Sequence, residues 1–74
     1  MVELDARDLK CPLPVLRARK MLNSLKAGEE LVILVTDEAA PRDLEFFCSE
    51  TGHKLVSKVE IDNCTRLILR CRDN

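Results

Sequence analysis

A chain of 74 residues, 46% hydrophobic and 34% charged, is enough for one folded domain and too little for a second or for a deep enclosed pocket, since a chain this short buries only about 60% of its unfolded surface. Its 12 basic and 13 acidic residues leave a net charge of −1, so no overall field draws it to nucleic acid. With Phe46 and Phe47 as the only aromatic residues, a base-stacking platform is excluded as well.

Val2, Leu4 and Ala6 alternate with Glu3 and Asp5 in the period of a strand, and Pro12 and Pro14 forbid its continuation, so the strand ends before Cys11. From Val15 the apolar residues Val15, Ala18, Leu22 and Leu25, with Met21 alongside, recur at helical spacing. Lys26 suits the last turn of that helix and Gly28 its C-terminal cap. Leu31 to Thr36 is a β-branched, nearly continuous apolar run, which predicts a strand buried on both faces. Asp37 to Pro41 forms the next turn. A second helix is expected from Pro41 through about Thr51, stopped by Gly52, with Leu44, Phe47 and Cys48 on its inner stripe.

Residues 54–61 and 65–72 read as two strands joined at Asp62-Asn63, a pair suited to a tight hairpin. The order β-α-β-α-β-β predicts an α/β two-layer sandwich: a mixed four-stranded sheet with both helices on one face, spanning 1–74 as one domain. Glu3, Asp5, Arg7, Asp8 and Lys10 interrupt the first ten positions and the longest apolar run is only Leu31 to Val35, so neither a signal peptide nor a membrane span is expected. The expected address is therefore the cytosol, where thiols stay reduced.

Of the four cysteines, only Cys11 stands at a junction between strand and helix. With Cys11 as N-cap, Pro12 and Pro14 fall at positions where a missing N–H breaks no helical bond, leaving mainly the N–H groups of Leu13 and Cys11 to meet a sulfur anion. A helix N-terminus favours an anion by about 0.3 to 1 kcal/mol. This predicts a Cys11 thiol below its ordinary pKa and a nucleophile that needs no histidine. The plainer reading is a cysteine that merely caps or packs. Cys48 falls on a core stripe, with an auxiliary redox role as the alternative. Cys64 is expected in the hairpin turn, and Cys71 on the core face with Leu67 and Leu69. No pair has the two-residue spacing of a zinc or dithiol site, so no metal or cofactor is expected. His53 reads as an exposed turn residue. Arg17, Arg19, Lys20 and Lys26 form either a solvated face or a surface that steers an acidic partner toward the sulfur.

The run from Leu4 through Cys11-Pro12-Leu13-Pro14 to Lys20 resembles the TusA family of small sulfur-carrier proteins, also called SirA-like or YedF-like, whose hallmark is Cys-Pro-x-Pro opening the first helix. The similarity continues through Gly28-Glu29, Thr36-Asp37, Arg42-Asp43 and Phe47-Cys48 and covers nearly the whole chain. The resemblance implies that Cys11 carries a persulfide received from a cysteine desulfurase and passed to an acceptor protein, toward tRNA uridine thiolation or another sulfur-trafficking pathway. Arg19, Asp37 and Asp43 match family positions near that end of the fold, and with Pro12, Leu13 and Arg17 they are the candidate partner-binding residues. No direct nucleic-acid contact is implied. Two departures stand out: Asp8 where glycine is common, a residue that tolerates a left-handed turn but adds negative charge near the sulfur, and Asp37-Glu38 where Asp-Pro is usual. The alternative to a carrier is a regulatory or interaction module in which the Cys11-Pro12-Leu13-Pro14 turn is only structural. A third possibility is redox signalling through Cys11 and Cys48.

Overall fold

In the computed structural model, which describes residues 2–73, the elements run β1 (Val2–Ala6), α1 (Leu13–Asn23), β2 (Glu30–Val35), α2 (Ala40–Thr51), β3 (Lys54–Ile61) and β4 (Cys64–Arg70). The sheet order is β1-β2-β4-β3. β1 pairs parallel to β2, and the other two pairings are antiparallel. The chain is thus the expected two-layer sandwich, with α1 packed mainly over β1 and β2 and α2 over β3 and β4.

Alternation decides which side chains meet the helices. Leu31, Ile33 and Val35 of β2, Leu67 and Leu69 of β4, and Ala6 at the end of β1 are fully buried against Ala18 and Leu22 of α1 and Leu44 of α2. Each fully buried leucine or isoleucine contributes about 1.5 to 3 kcal/mol. The expectation that β2 is buried on both faces is corrected in part. On its far side Leu34 is only half-buried. Val32 is 8% exposed, but with both helices on the opposite side its cover comes from Glu3 and Ile68, which flank it in register.

Helix α1 departs from its expected limits at both ends. It starts at Leu13, and Pro14 is buried in its first turn. It stops at Asn23 because Ser24 turns both its N–H (3.1 Å) and its hydroxyl (2.7 Å) onto the Met21 carbonyl, a local bond that competes with continued helix. Lys26 therefore lies beyond the helix and Gly28 is not its cap. Gly28 instead takes φ +85 in the loop, where its N–H reaches the Cys71 carbonyl at 3.0 Å and the Cys71 N–H returns to Glu29 at 2.8 Å. Helix α2 ends as expected: Gly52 has φ +87 and donates to the Cys48 carbonyl at 2.9 Å. His53 is not a free turn residue. Its ring stacks on Phe47 with centroids 5.7 Å apart, and its Nδ1 accepts the Arg72 N–H at 3.0 Å.

The hairpin turns at Asp62-Asn63, with Asp62 in the left-handed region at φ 55. Its register holds a feature that simple alternation conceals. Leu55, Ser57, Val59 and Ile61 are spaced as one face of a strand, yet a bulge between Leu55 and Ser57 shifts the pairing. Leu55 stays opposite Leu69 on the core face, whereas Val59 pairs with Arg66 and Ile61 with Cys64, and both turn outward, 42% and 46% exposed.

Candidate functional site

Residues 7–12 connect β1 to α1 and bring Cys11 to the surface. Arg7 forms a two-point ion pair with Asp5, both bonds 2.9 Å. Asp8 adopts φ 67, the left-handed turn its side chain permits, and its N–H donates to Thr36 Oγ1 at 2.8 Å. Leu9 packs against the core, which fixes the loop from within.

Around the sulfur the structure overturns one expectation. Cys11 is not the N-cap; Pro12 is, and the helix begins at Leu13. The Cys11 N–H donates to Asp37 Oδ2 at 2.8 Å, and the Leu13 N–H to the Lys10 carbonyl at 2.8 Å. Both groups expected to meet a sulfur anion are thus already engaged by oxygen acceptors, and Pro12 and Pro14 have none to offer. The Cys11 thiol itself donates to Asp43 Oδ2 at 2.8 Å. A carboxylate accepts only, so the proton in that contact resides on sulfur. The bond to Asp43 is the main force raising the Cys11 pKa, followed by desolvation and by the negative charges of Asp43 and Asp37. The resting state is a neutral thiol rather than a thiolate: two adjacent carboxylates outweigh a helix terminus whose donors are occupied. Asp8, expected to be the opposing charge, is not among the groups acting on Cys11.

Asp37 and Asp43 reach the site from the β2–α2 connection. Asp37 closes its own turn, accepting the Ala39 N–H on Oδ1 at 3.2 Å and the Ala40 N–H on its carbonyl at 3.2 Å. Its bonds to the Cys11 and Ala39 N–H groups hold its carboxyl below the ordinary value. The departure Asp37-Glu38 therefore leaves a turn stitched by the aspartate itself, with Pro41 entering α2 one residue after its start at Ala40. Asp43 sits in the first turn of α2, its N–H on the Ala39 carbonyl at 3.0 Å.

The remaining candidates are spread over the adjoining surface. Pro12, Leu13, Arg17 and Arg19 are all exposed, and among the described residues neither arginine forms an ion pair. Leu13 (43%) and Leu16 (50%) on α1, and Phe46 (65%) one turn beyond Asp43 on α2, are large apolar side chains left open. Leu16 and Phe46 were not singled out from sequence, where both sit off the core stripes; their signal was an apolar residue on a face expected to be polar. Cys48 and Cys71 are buried, and burial pushes the Cys48 thiol up to about 11. Cys64 is the first residue of β4 rather than part of the turn, and half-buried. All four cysteines are free. Among the described residues no three His, Cys, Asp or Glu side chains are grouped to hold a metal, and no helix is long and apolar enough to cross a membrane.

The fold and its exposed cysteine at the β1–α1 junction define a small module that displays one sulfur beside an open depression lined by Asp8, Leu9, Lys10, Thr36 and Asp37. The sulfurtransferase TusA family matches residues 2–71, and the chain belongs to that family of sulfur carriers. It is 43% identical over 58 residues to the sulfur carrier protein TusA of Allochromatium vinosum, covering 78% of this chain and 76% of the relative. A Neisseria meningitidis protein named as a sulfur carrier is 46% identical over 67 residues, 90% of each chain. The crystal structure of the SirA-like protein from Desulfitobacterium hafniense superposes with a TM-score of 0.88 at 27% identity, covering 99% of this chain and 100% of the other.

Proposed function

We propose that Cys11 is the sulfur-bearing residue: it accepts the terminal sulfur of a cysteine desulfurase persulfide, holds it, and surrenders it to a thiol of an acceptor protein, for tRNA 2-thiouridine formation or another sulfur-trafficking route. The observation that carries this reading is the solvent-facing Cys11 thiol in a family of sulfur carriers. Transfer is thiol exchange on sulfur, which needs access from outside and no bound cofactor. A single domain over the 74 residues suffices because the partner supplies the other reacting group. Exposed Leu13, Leu16 and Phe46, with Pro12, Arg17 and Arg19, form the surface the partner covers, while Asp37 and Asp43 shape the loop beneath it. Free thiols at all four cysteines suit a reducing, cytoplasmic setting.

Incubation with a cysteine desulfurase and 35S-labelled cysteine tests the reading. The wild-type protein is expected to gain label that dithiothreitol releases, and Cys11→Ser none. A folded wild-type protein that stays unlabelled would favour a regulatory module instead.

A further inference from the structure

We propose that Asp43 is the proton acceptor for Cys11 at the moment the thiol takes up sulfur. The proposal rests on the carrier reading above and adds to it the group that handles the proton. Three observations lead to it. The Cys11 thiol donates directly to Asp43 Oδ2 at 2.8 Å, so the acceptor is in place before any donor arrives. Asp43 is anchored by its own N–H on the Ala39 carbonyl at 3.0 Å, in the first turn of a twelve-residue helix. No other side chain receives the Cys11 proton among the described residues; Asp37, the second acid nearby, is occupied by the Cys11 and Ala39 N–H groups.

A carboxylate is a poor base for a resting thiol and a good one for a reacting thiol. Before attack the proton belongs on sulfur, and the adjacent negative charges keep it there. As the Cys11 sulfur shares an electron pair with an incoming sulfur atom, its own proton becomes strongly acidic and crosses the basicity of the carboxylate. That crossing is the condition under which a general base assists. With a hydropersulfide donor R–S–SH, the bond from Cys11 Sγ to the terminal sulfur forms and the donor's S–S bond breaks, releasing R–S⁻. The Cys11 proton moves to Asp43 Oδ2 and then to the departing R–S⁻. The products are R–SH and Cys11–S–SH, with no net change in protons or oxidation state. The same carboxylate keeps the idle protein unreactive toward small electrophiles, since these react with thiolate. The charged groups facing the thiol are Asp43 from α2 and Asp37 from the preceding turn, with Lys10 acting on Asp37.

The two roles of Asp43 predict changes of opposite sign in one variant. Replacing the carboxylate by a neutral amide frees the thiolate and removes the base. For Asp43→Asn, iodoacetamide alkylation of Cys11 at pH 7 is expected to rise several-fold. Loading from glutathione persulfide, read as one added sulfur by mass spectrometry, should fall by about tenfold or more, toward the 10²- to 10⁴-fold range of a lost general base. Loading of that variant should then climb with pH in step with its alkylation, whereas wild-type loading exceeds what its thiolate fraction allows. Asp43→Glu, which keeps a carboxylate, should recover part of the loading. Alkylation and loading that rise together in Asp43→Asn would overturn the proposal and leave Asp43 as an electrostatic neighbour only. A wild-type protein that gains no sulfur at Cys11 would instead overturn the carrier reading, and this proposal with it.

Discussion

One carboxylate, Asp37, holds the backbone of Cys11: its Oδ2 accepts the Cys11 N–H at 2.8 Å, across 26 residues of sequence. The other oxygen of the same group closes the turn into α2 on Ala39 at 3.2 Å. The two loops at this end of the sheet are thereby tied together, and the tie depends on ionisation. The Asp37 pKa is lowered from 3.8 by these two bonds. Its contribution to stability is therefore present above the unfolded value and lost as pH falls through the lower folded value. Asp37→Ala is expected to lower the urea midpoint at pH 7, and the gap to wild type should shrink below about pH 3.8 as the wild-type carboxyl protonates. A gap that stays constant from pH 7 to pH 2.5 would show that the bonds contribute nothing through charge.

Asp8 is expected to matter for backbone shape alone. Its φ of 67 is left-handed, so Asp8→Val should cost about 1 to 2 kcal/mol and Asp8→Gly far less. The pH profile of Cys11 alkylation in Asp8→Asn should coincide with that of wild type, in contrast to Asp43→Asn. A faster reaction in the Asp8 variant would return that carboxylate to the list of groups acting on the thiol.

Cys48 is a core residue, 4% exposed among Leu44 and Phe47. Cys48→Ala is expected to lose about 1 to 2 kcal/mol in chemical denaturation and to keep sulfur loading. In the native protein at pH 7 its thiol, pushed up to about 11 by burial, should resist alkylation until the chain unfolds. Normal stability with lost loading would reverse the assignment.

The bulge in β3 makes a prediction that alternation alone would get backwards. Val59→Thr and Ile61→Thr should each shift stability by no more than about 0.5 kcal/mol, as exposed positions do, whereas Leu67→Ala on the adjacent strand should cost about 2 to 5 kcal/mol. Comparable losses at Ile61 and Leu67 would place Ile61 in the core and refute the shifted register.

Local pattern in the sequence determined the order of elements, the hairpin turn at Asp62-Asn63, the end of α2 at Gly52 and the placement of Cys11 between β1 and α1, because each follows from periodicity or from backbone preferences of neighbouring residues. The family was legible in the Cys11-Pro12-Leu13-Pro14 turn for the same reason. Three features were decided by contacts between distant segments. The path of the chain after α1 was set by the pairing of Gly28-Glu29 with Cys71. The outward turn of Val59 and Ile61 came from a register that only the partner strand β4 fixes. The protonation of Cys11 is the third. Its sequence neighbourhood predicts a thiolate at a helix start, yet Asp43, 32 residues away, and Asp37 bring negative charge to the sulfur, and Asp37 takes up the Cys11 N–H. A pKa is set by whatever lies within a few ångströms in space, and the packing of α2 beside α1 is what brings those carboxylates there.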